Sequence, residues 1–258
     1  MCANVLSKEL AAMWQWVHRS GSPKTAYIWI KNTQPWAFVL CFMALAYGLV
    51  AGLLYAPADY QQGEVYRVMY IHVPAAIWSL GVYVGMSIAA LMFLVWKLKV
   101  ADVVVTCAAR LGALFTVLTL ITGSIWGKPT WGTWWIWDAR LTSELLLLFI
   151  YMGIIAIRAA IPDKLQASKA ASIVTLIGLV NIPIIHYSVY WWNTLHQGDS
   201  LSLFGKSTIA PSMLHPLLAM IAAFFFYSVW IMCIQVRGEL LKRDAQSKWV
   251  LALKLKEA

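Results

Sequence analysis

The sequence predicts an all-α polytopic membrane protein with six transmembrane helices and a tryptophan-rich segment between the third and the fourth. Two observations carry this. The chain of 258 residues is 61% hydrophobic and only 12% charged, whereas a soluble domain averages nearer half apolar and a quarter charged. Uncharged runs extend from Val73 to Trp96, from Ala170 to Gly198 and from Ser207 to Val236. Each exceeds the ~20 residues that cross the hydrocarbon core.

By that length rule the spans fall at about 36–56, 73–96, 104–125, 141–160, 170–190 and 214–236. Pro74 is expected in the first turn of the second helix, where its missing N–H costs nothing. The fourth span is the least clean. Only residues 145–157 separate Glu144 from Arg158, so Glu144 is expected near the membrane surface. Residues 1–258 read as one membrane domain, with residues 1–33 and 237–258 as tails. The basic C-terminal tail reads as an interfacial helix on an anionic leaflet. The first thirty residues show no apolar core with a cleavage site, so no signal peptide is expected.

Charge orients the bundle. Six spans put both termini on one side, together with Lys8, Arg19, Lys24 and Lys31, the 97–110 and 158–169 connections, and the tail. Only Arg67, Lys128, Arg140 and Lys206 remain on the other side. The positive-inside rule then places the termini in the cytoplasm and the segments at about 57–72, 126–140 and 191–213 outside. The net charge of +9 is mostly this asymmetry, so the lipid bilayer is the expected partner and nucleic acid is not. Cys2, Cys41, Cys107 and Cys233 show no metal-ligand spacing, and structural disulfides are not expected.

Five tryptophans, Trp126, Trp131, Trp134, Trp135 and Trp137, fall within WGKPTWGTWWIWDAR, followed by Asp138 and Arg140. An interfacial aromatic belt accounts for Trp14, Trp16, Trp29, Trp36, Trp78, Trp96 and Trp230. It accounts poorly for five indoles interrupted by Gly127, Pro129 and Gly132. Those breakers argue against one simple helix and for a folded surface element. Such an element offers stacking to a flat ligand, at about 0.5–1.5 kcal/mol per aromatic pair.

His72 in YIHVPAAIW and His196 in WWNTLHQGD flank this run in sequence order. His18 reads as solvated, His215 as an interfacial polar residue, and His186 as a hydrogen-bonded interior histidine. Two imidazoles at one depth beside an aromatic platform suit the two axial positions of a haem iron. Two unrelated surface histidines are the other reading. Haem would also bring two anionic propionates, which Arg67, Lys128 and Arg140 could meet; arginine's planar fork suits a carboxylate best. Asp138 is expected to orient Arg140, an indole N–H or a backbone turn. Without a C-x-x-C-H motif the haem would be held non-covalently, as haem b.

WGKPTWGTWWIWDARLTSE resembles the tryptophan-rich WWD signature of haem-handling proteins. APADYQQGEVYRVMYIHVPAAIW and NIPIIHYSVYWWNTLHQG resemble the haem exporter protein C family, CcmC, of bacterial cytochrome c maturation. The likeness covers residues 36–236. It implies an inner-membrane protein, not an enzyme, that holds haem transiently at its periplasmic face. It also implies His72 and His196 as axial ligands, Trp126 to Asp138 as the WWD segment, and Arg67 and Arg140 as outward arginines. The implied partners are the haem chaperone CcmE and the CcmA, CcmB and CcmD subunits of an ABC transporter complex. The chain has no Walker motif, so a partner would hydrolyse ATP.

Two other functions fit these residues less well. A membrane b-type cytochrome passing electrons to quinone calls for histidines inside the spans, and both favoured ones lie at outer ends. A haem conduit calls for ionisable groups at mid-membrane, and the spans are almost free of them.

Overall fold

The computed structural model describes residues 18, 21–192, 194–196 and 207–257. Cys2, Lys8, Trp14, Trp16, Arg19 and Lys206 lie outside the described residues. Six helical segments are long and apolar enough to cross a membrane, at Pro23–Tyr55, Glu64–Trp96, Lys99–Trp131, Ala139–Ala160, Lys164–Trp191 and Pro211–Arg243. All six expected spans are present, and most run past the expected bounds. The 33-residue segments reach about 50 Å at 1.5 Å per residue, against ~30 Å of hydrocarbon.

Helix α1 covers Pro23–Val50. Ser22 caps it by accepting the Thr25 N–H at 3.3 Å, with Pro23 in the first turn. A π-helical turn, Ala51–Tyr55, follows. Helix α2, Met69–Trp96, is entered from a 3₁₀ turn at Glu64–Val68. Pro74 therefore sits past the first turn and is buried, contrary to expectation. The 3₁₀ turn supplies the helical entry upstream of it.

Helix α3, Lys99–Trp131, departs most from the sequence reading. It runs through Gly127 and Pro129 and stops only at Gly132. There φ is 79°, and the N–H bonds the Lys128 carbonyl at 3.0 Å. Glycine takes this left-handed cap at little steric cost. Continuing the helix keeps carbonyls paired near the lipid boundary, where unpaired ones are costly. Helix α4, Ala139–Ala160, starts from Asp138, whose side chain accepts the Leu141 N–H at 2.8 Å.

The fifth span is broken into α5, Lys164–Gly178, and α6, Asn181–Trp191. Pro183 explains the break. Its ring clashes with the carbonyl four residues back, at Leu179, where a helix would otherwise continue. The freed backbone tightens into Leu179-to-Leu176 and Val180-to-Ile177 bonds, both at 3.3 Å. Helix α7 covers Pro211–Arg243 and α8 covers Lys248–Glu257. The tail is helical as expected, but its first part extends the sixth span. The last part is held to the base of α1 by Trp249 on Tyr27, at 5.6 Å.

The core lies between α2, α3 and α4, where Tyr83, Met86, Leu147, Tyr151 and Ile154 are all 0% exposed. Two tyrosine hydroxyls buried there are satisfied. Tyr83 donates to the Thr175 carbonyl at 2.9 Å and Tyr151 to the Ser79 carbonyl at 2.8 Å. A buried hydroxyl left unpaired costs about 1–3 kcal/mol. At the end away from the tryptophan run, buried Asp102 of α3 accepts from Arg158 of α4 and Arg243 of α7. Three spans are tied there by residues that the charge count treats as loop cations. Cys41, Cys107 and Cys233 are buried and unbridged.

Candidate functional site

The end of the bundle carrying the 56–68, 132–138 and 192–210 connections gathers the predicted site residues. His72 is a half-buried residue of α2, one turn into the helix. Its Nδ1 lies 3.1 Å from both the Thr119 carbonyl and Thr122 Oγ1 of α3. In the tautomer that donates from Nδ1, Nε2 carries a bare lone pair. Trp126, also on α3, meets the ring edge-on at 5.7 Å. The imidazole fits against α3 because residue 123 is glycine. A Cβ there would lie 3.0 Å from His72 Cε1.

His196 reaches the same end from the last connection. Its Nδ1 lies 3.2 Å from Asp138 Oδ2 and 3.2 Å from Thr194 Oγ1. Its ring meets Trp131 edge-on at 4.8 Å. Here the carboxylate selects the tautomer, with Nδ1–H donating and Nε2 free. This is the outer-shell arrangement that aligns metal-ligating histidines and raises their basicity. Both imidazoles follow one pattern: Nδ1 held, an indole against the ring, Nε2 available.

Asp138 does more than expected. Burial works against its charge, but hydrogen bonds from His196, Thr194 and the Leu141 N–H prevail and lower its carboxyl from 3.8 to about 2. The expected backbone-turn role is present, as the cap of α4. No bond to Arg140 or an indole accompanies it.

The five tryptophans divide. Trp126 and Trp131 stand on the last turns of α3, and Trp126 Nε1 donates to Gln62 Oε1 at 2.7 Å. Trp131 folds back over buried Gly127, where a Cβ would meet its ring at 3.0 Å. Trp134, Trp135 and Trp137 follow in irregular chain. Trp134 is 58% and Trp137 75% exposed, while Trp135 packs edge-on against Trp137 at 5.4 Å. Trp135 Nε1 is buried with no acceptor among the described residues.

The cations divide as well. Arg67 is committed to its own loop. It donates to the Gly52 carbonyl of the π-helical turn and to the carbonyl of Ala56 just after it, and pairs with Glu64. Lys128 is exposed and donates to the Gly132 carbonyl at 3.1 Å. The guanidinium of Arg140, one residue into α4, has no hydrogen bond or ion pair with the described residues, and its charge acts on both His72 and Glu144. His186 is exposed against Tyr187 at 4.7 Å, so the interior reading of it is corrected. It lies on the outer face of α6, where only Ile185 and Ser188 around it point inward. His215 is exposed on α7.

Several residues here escape the sequence reading. Thr119, Thr122 and Gly123 share one helical face at i, i+3 and i+4, a signal readable in T-L-I-T-G. Glu144, at the tryptophan-run end of the fourth span, is 6% exposed inside the bundle, bonded to Ser79 of α2 at 2.9 Å. The break-free start of α4 at Asp138 carries it inward by over a turn. Among the described residues no group of three or more His, Cys, Asp or Glu could hold a metal ion. A two-donor set suits an iron already equatorially bound by a macrocycle. Two clefts of ≈ 410 and ≈ 380 Å³ open at the opposite end, beside Lys31 and Trp230 and beside Tyr27 and Trp249, and neither is lined by a residue of this site.

Comparison with known proteins places the geometry in context. Residues 16–251 match the family model described as Heme exporter protein C. The chain is 50% identical over 241 residues to Heme exporter protein C of Haemophilus influenzae, covering 93% of this chain and 98% of that one. It is 47% identical over 244 residues to the Escherichia coli K12 protein of the same name, covering 95% and 98%. It is 46% identical over 208 residues to a putative cytochrome c biosynthesis ccmC-like mitochondrial protein of Marchantia polymorpha, covering 81% and 88%.

Proposed function

The chain belongs to the haem exporter protein C family, and from that premise we propose that it binds haem b non-covalently at the periplasmic face of the inner membrane and presents it to the chaperone CcmE. The family supports the coarser part, a role in haem export for cytochrome c maturation by a membrane protein of an exporter complex. The proposal adds the site, the face, the recipient and the CcmA, CcmB and CcmD partners.

One observation carries the site. Two histidines from different elements present Nε2 at the same end of the bundle, each with Nδ1 held by a hydrogen bond and an indole against its ring. Haem supplies an iron that takes two axial nitrogens. The chain does the rest. Asp138 and the Thr119 carbonyl fix the tautomers. Trp126 and Trp131 fix the ring planes. Trp134 and Trp137 offer exposed apolar faces. Among the described residues the Arg140 guanidinium and Trp135 Nε1 are donors without acceptors, and a propionate accepts from both. Arg67 and Lys128 add positive charge from the loop and helix end. Two neutral donors without a covalent link leave the haem exchangeable, as delivery requires.

The test is the absorption spectrum of detergent-purified protein beside His72→Ala and His196→Ala. Each variant should lose six-coordinate haem. Retention of the unaltered spectrum by both would remove the axial assignment. For the face, Tyr60→Cys, at a position 91% exposed, should react with an impermeant thiol reagent from outside the inner membrane. Reaction only from the cytoplasm would reverse the orientation.

A further inference from the structure

Glu144 is a buried carboxyl that neither the proposed site nor an ion pair among the described residues uses. It lies in the fourth span, 6% exposed, where an ionisable group is costly and marks function by default. Its one hydrogen bond among the described residues is to Ser79 Oγ, at 2.9 Å. Ser79 Oγ is also 2.8 Å from the Ala76 carbonyl. A hydroxyl has one hydrogen, so it cannot donate to both.

Two protonation states follow from that count. With Glu144 ionised, Ser79 donates to the carboxylate and releases the Ala76 carbonyl. With Glu144 neutral, its O–H donates to Ser79 and Ser79 donates to Ala76, so every hydrogen is used. The neutral state is therefore the better-bonded one in an apolar interior. What favours the ionised state is Arg140, one turn earlier on α4, whose charge reaches Glu144 without an ion pair forming. Few other charges act there. On α4, Tyr151 donates its hydroxyl to the Ser79 carbonyl instead. On α2, Tyr83 donates to Thr175, and His72 is held by α3. From α6, Asn181 donates to the Ser143 carbonyl. On α3, Asp102 is paired with arginines and Lys128 is exposed.

We propose that Glu144 is a positioning residue coupled to Arg140, so that one proton from solvent enters the Glu144–Ser79 pair when an anionic group of the cargo neutralises Arg140. Without cargo, Arg140 balances the Glu144 carboxylate. With a propionate on Arg140, that compensation is gone and the carboxyl takes up a proton. Release of cargo returns the proton. This rests on the reading of Arg140 as a propionate ligand given above.

The experiment is haem titration of the purified full chain between about pH 6 and 9, the range in which buried carboxyls titrate. Wild type should bind up to about tenfold more weakly per pH unit as pH rises, the signature of one proton taken up. Glu144→Gln keeps the shape and donates to Ser79 in a fixed neutral state, so this slope should vanish. Histidine titration weakens binding toward acid in both proteins and cancels in the comparison. A loaded-minus-empty infrared difference should show a protonated-carboxyl band in wild type and none in Glu144→Gln. Arg140→Gln should show that band already in the empty protein. Equal pH slopes in wild type and Glu144→Gln, with six-coordinate spectra in both, would overturn the coupling and leave the haem site standing. Six-coordinate haem retained by both His72→Ala and His196→Ala would remove the site and the coupling together.

Discussion

Asp138 Oδ2 lies 3.2 Å from His196 Nδ1, and Asp138 Oδ1 accepts the Leu141 N–H at 2.8 Å. One carboxylate thus starts helix α4 and aligns an imidazole 58 residues away in sequence. Helix and histidine are fixed to each other by the two oxygens of a single side chain.

Asp138→Asn separates the two jobs. Asparagine still caps the helix through its carbonyl oxygen, so the thermal midpoint should change little. Its amide nitrogen, however, presents N–H to His196 Nδ1. The ring then moves its proton to Nε2 and loses the lone pair that would meet iron. Haem titration should show about 10–100-fold weaker binding, the usual effect of removing an outer-shell partner. Asp138→Ala should add a cap loss of about 1 kcal/mol, visible as a lower melting temperature.

The same carboxyl predicts an acid limb of stability. Its folded-state value is depressed to about 2 from 3.8. A depressed carboxyl stabilises above its ordinary value and loses that contribution as pH falls toward the folded one. Thermal melts between about pH 4 and 2 should therefore show a steeper decline in wild type than in Asp138→Asn.

The spans and the tryptophan run are legible in the sequence because membrane thickness and residue type are local signals. His72 and His196 stand out for the same reason. The course of α3 is not legible, because Gly127 and Pro129 look like breakers locally. The helix persists through them because its carbonyls need partners near the lipid boundary, and it stops where Gly132 can turn left-handed. Nor are Asp138 with His196 or Glu144 with Ser79 legible, since 58 and 65 residues separate those partners. Arg158 counts as a loop charge in the sequence, and only packing shows it buried on Asp102.

The Asp102 network, at the end away from the tryptophan run, gives a stability prediction independent of haem. Asp102 holds Arg158 and Arg243 at side-chain exposures of 5%, 12% and 31%. Arg243 keeps Glu239 at 2.7 Å if Asp102 is lost. Among the described residues Arg158 has no such reserve, and its Nε is already buried there without a partner. Removing one partner of a buried ion pair costs about 3–5 kcal/mol. Asp102→Asn should therefore lower the melting temperature in detergent markedly, while haem affinity below the transition stays near wild type.

Gly123 offers the sharpest steric probe of the site. A Cβ there would sit 3.0 Å from His72 Cε1 and 3.5 Å from Nδ1. The ring must give by a few tenths of an ångström, which disturbs its bonds to the Thr119 carbonyl and Thr122. Gly85, on the same helix as His72, has open space where a Cβ would stand. Alanine at either position gains helix propensity of up to about 1 kcal/mol. Gly85→Ala should therefore hold or raise the melting temperature with an unchanged haem spectrum. Gly123→Ala should keep a comparable melting temperature but bind haem more weakly, with the axial ligand field altered in absorption or magnetic resonance. If Gly123→Ala matched Gly85→Ala in both affinity and spectrum, the seating of His72 on α3 would not govern ligation.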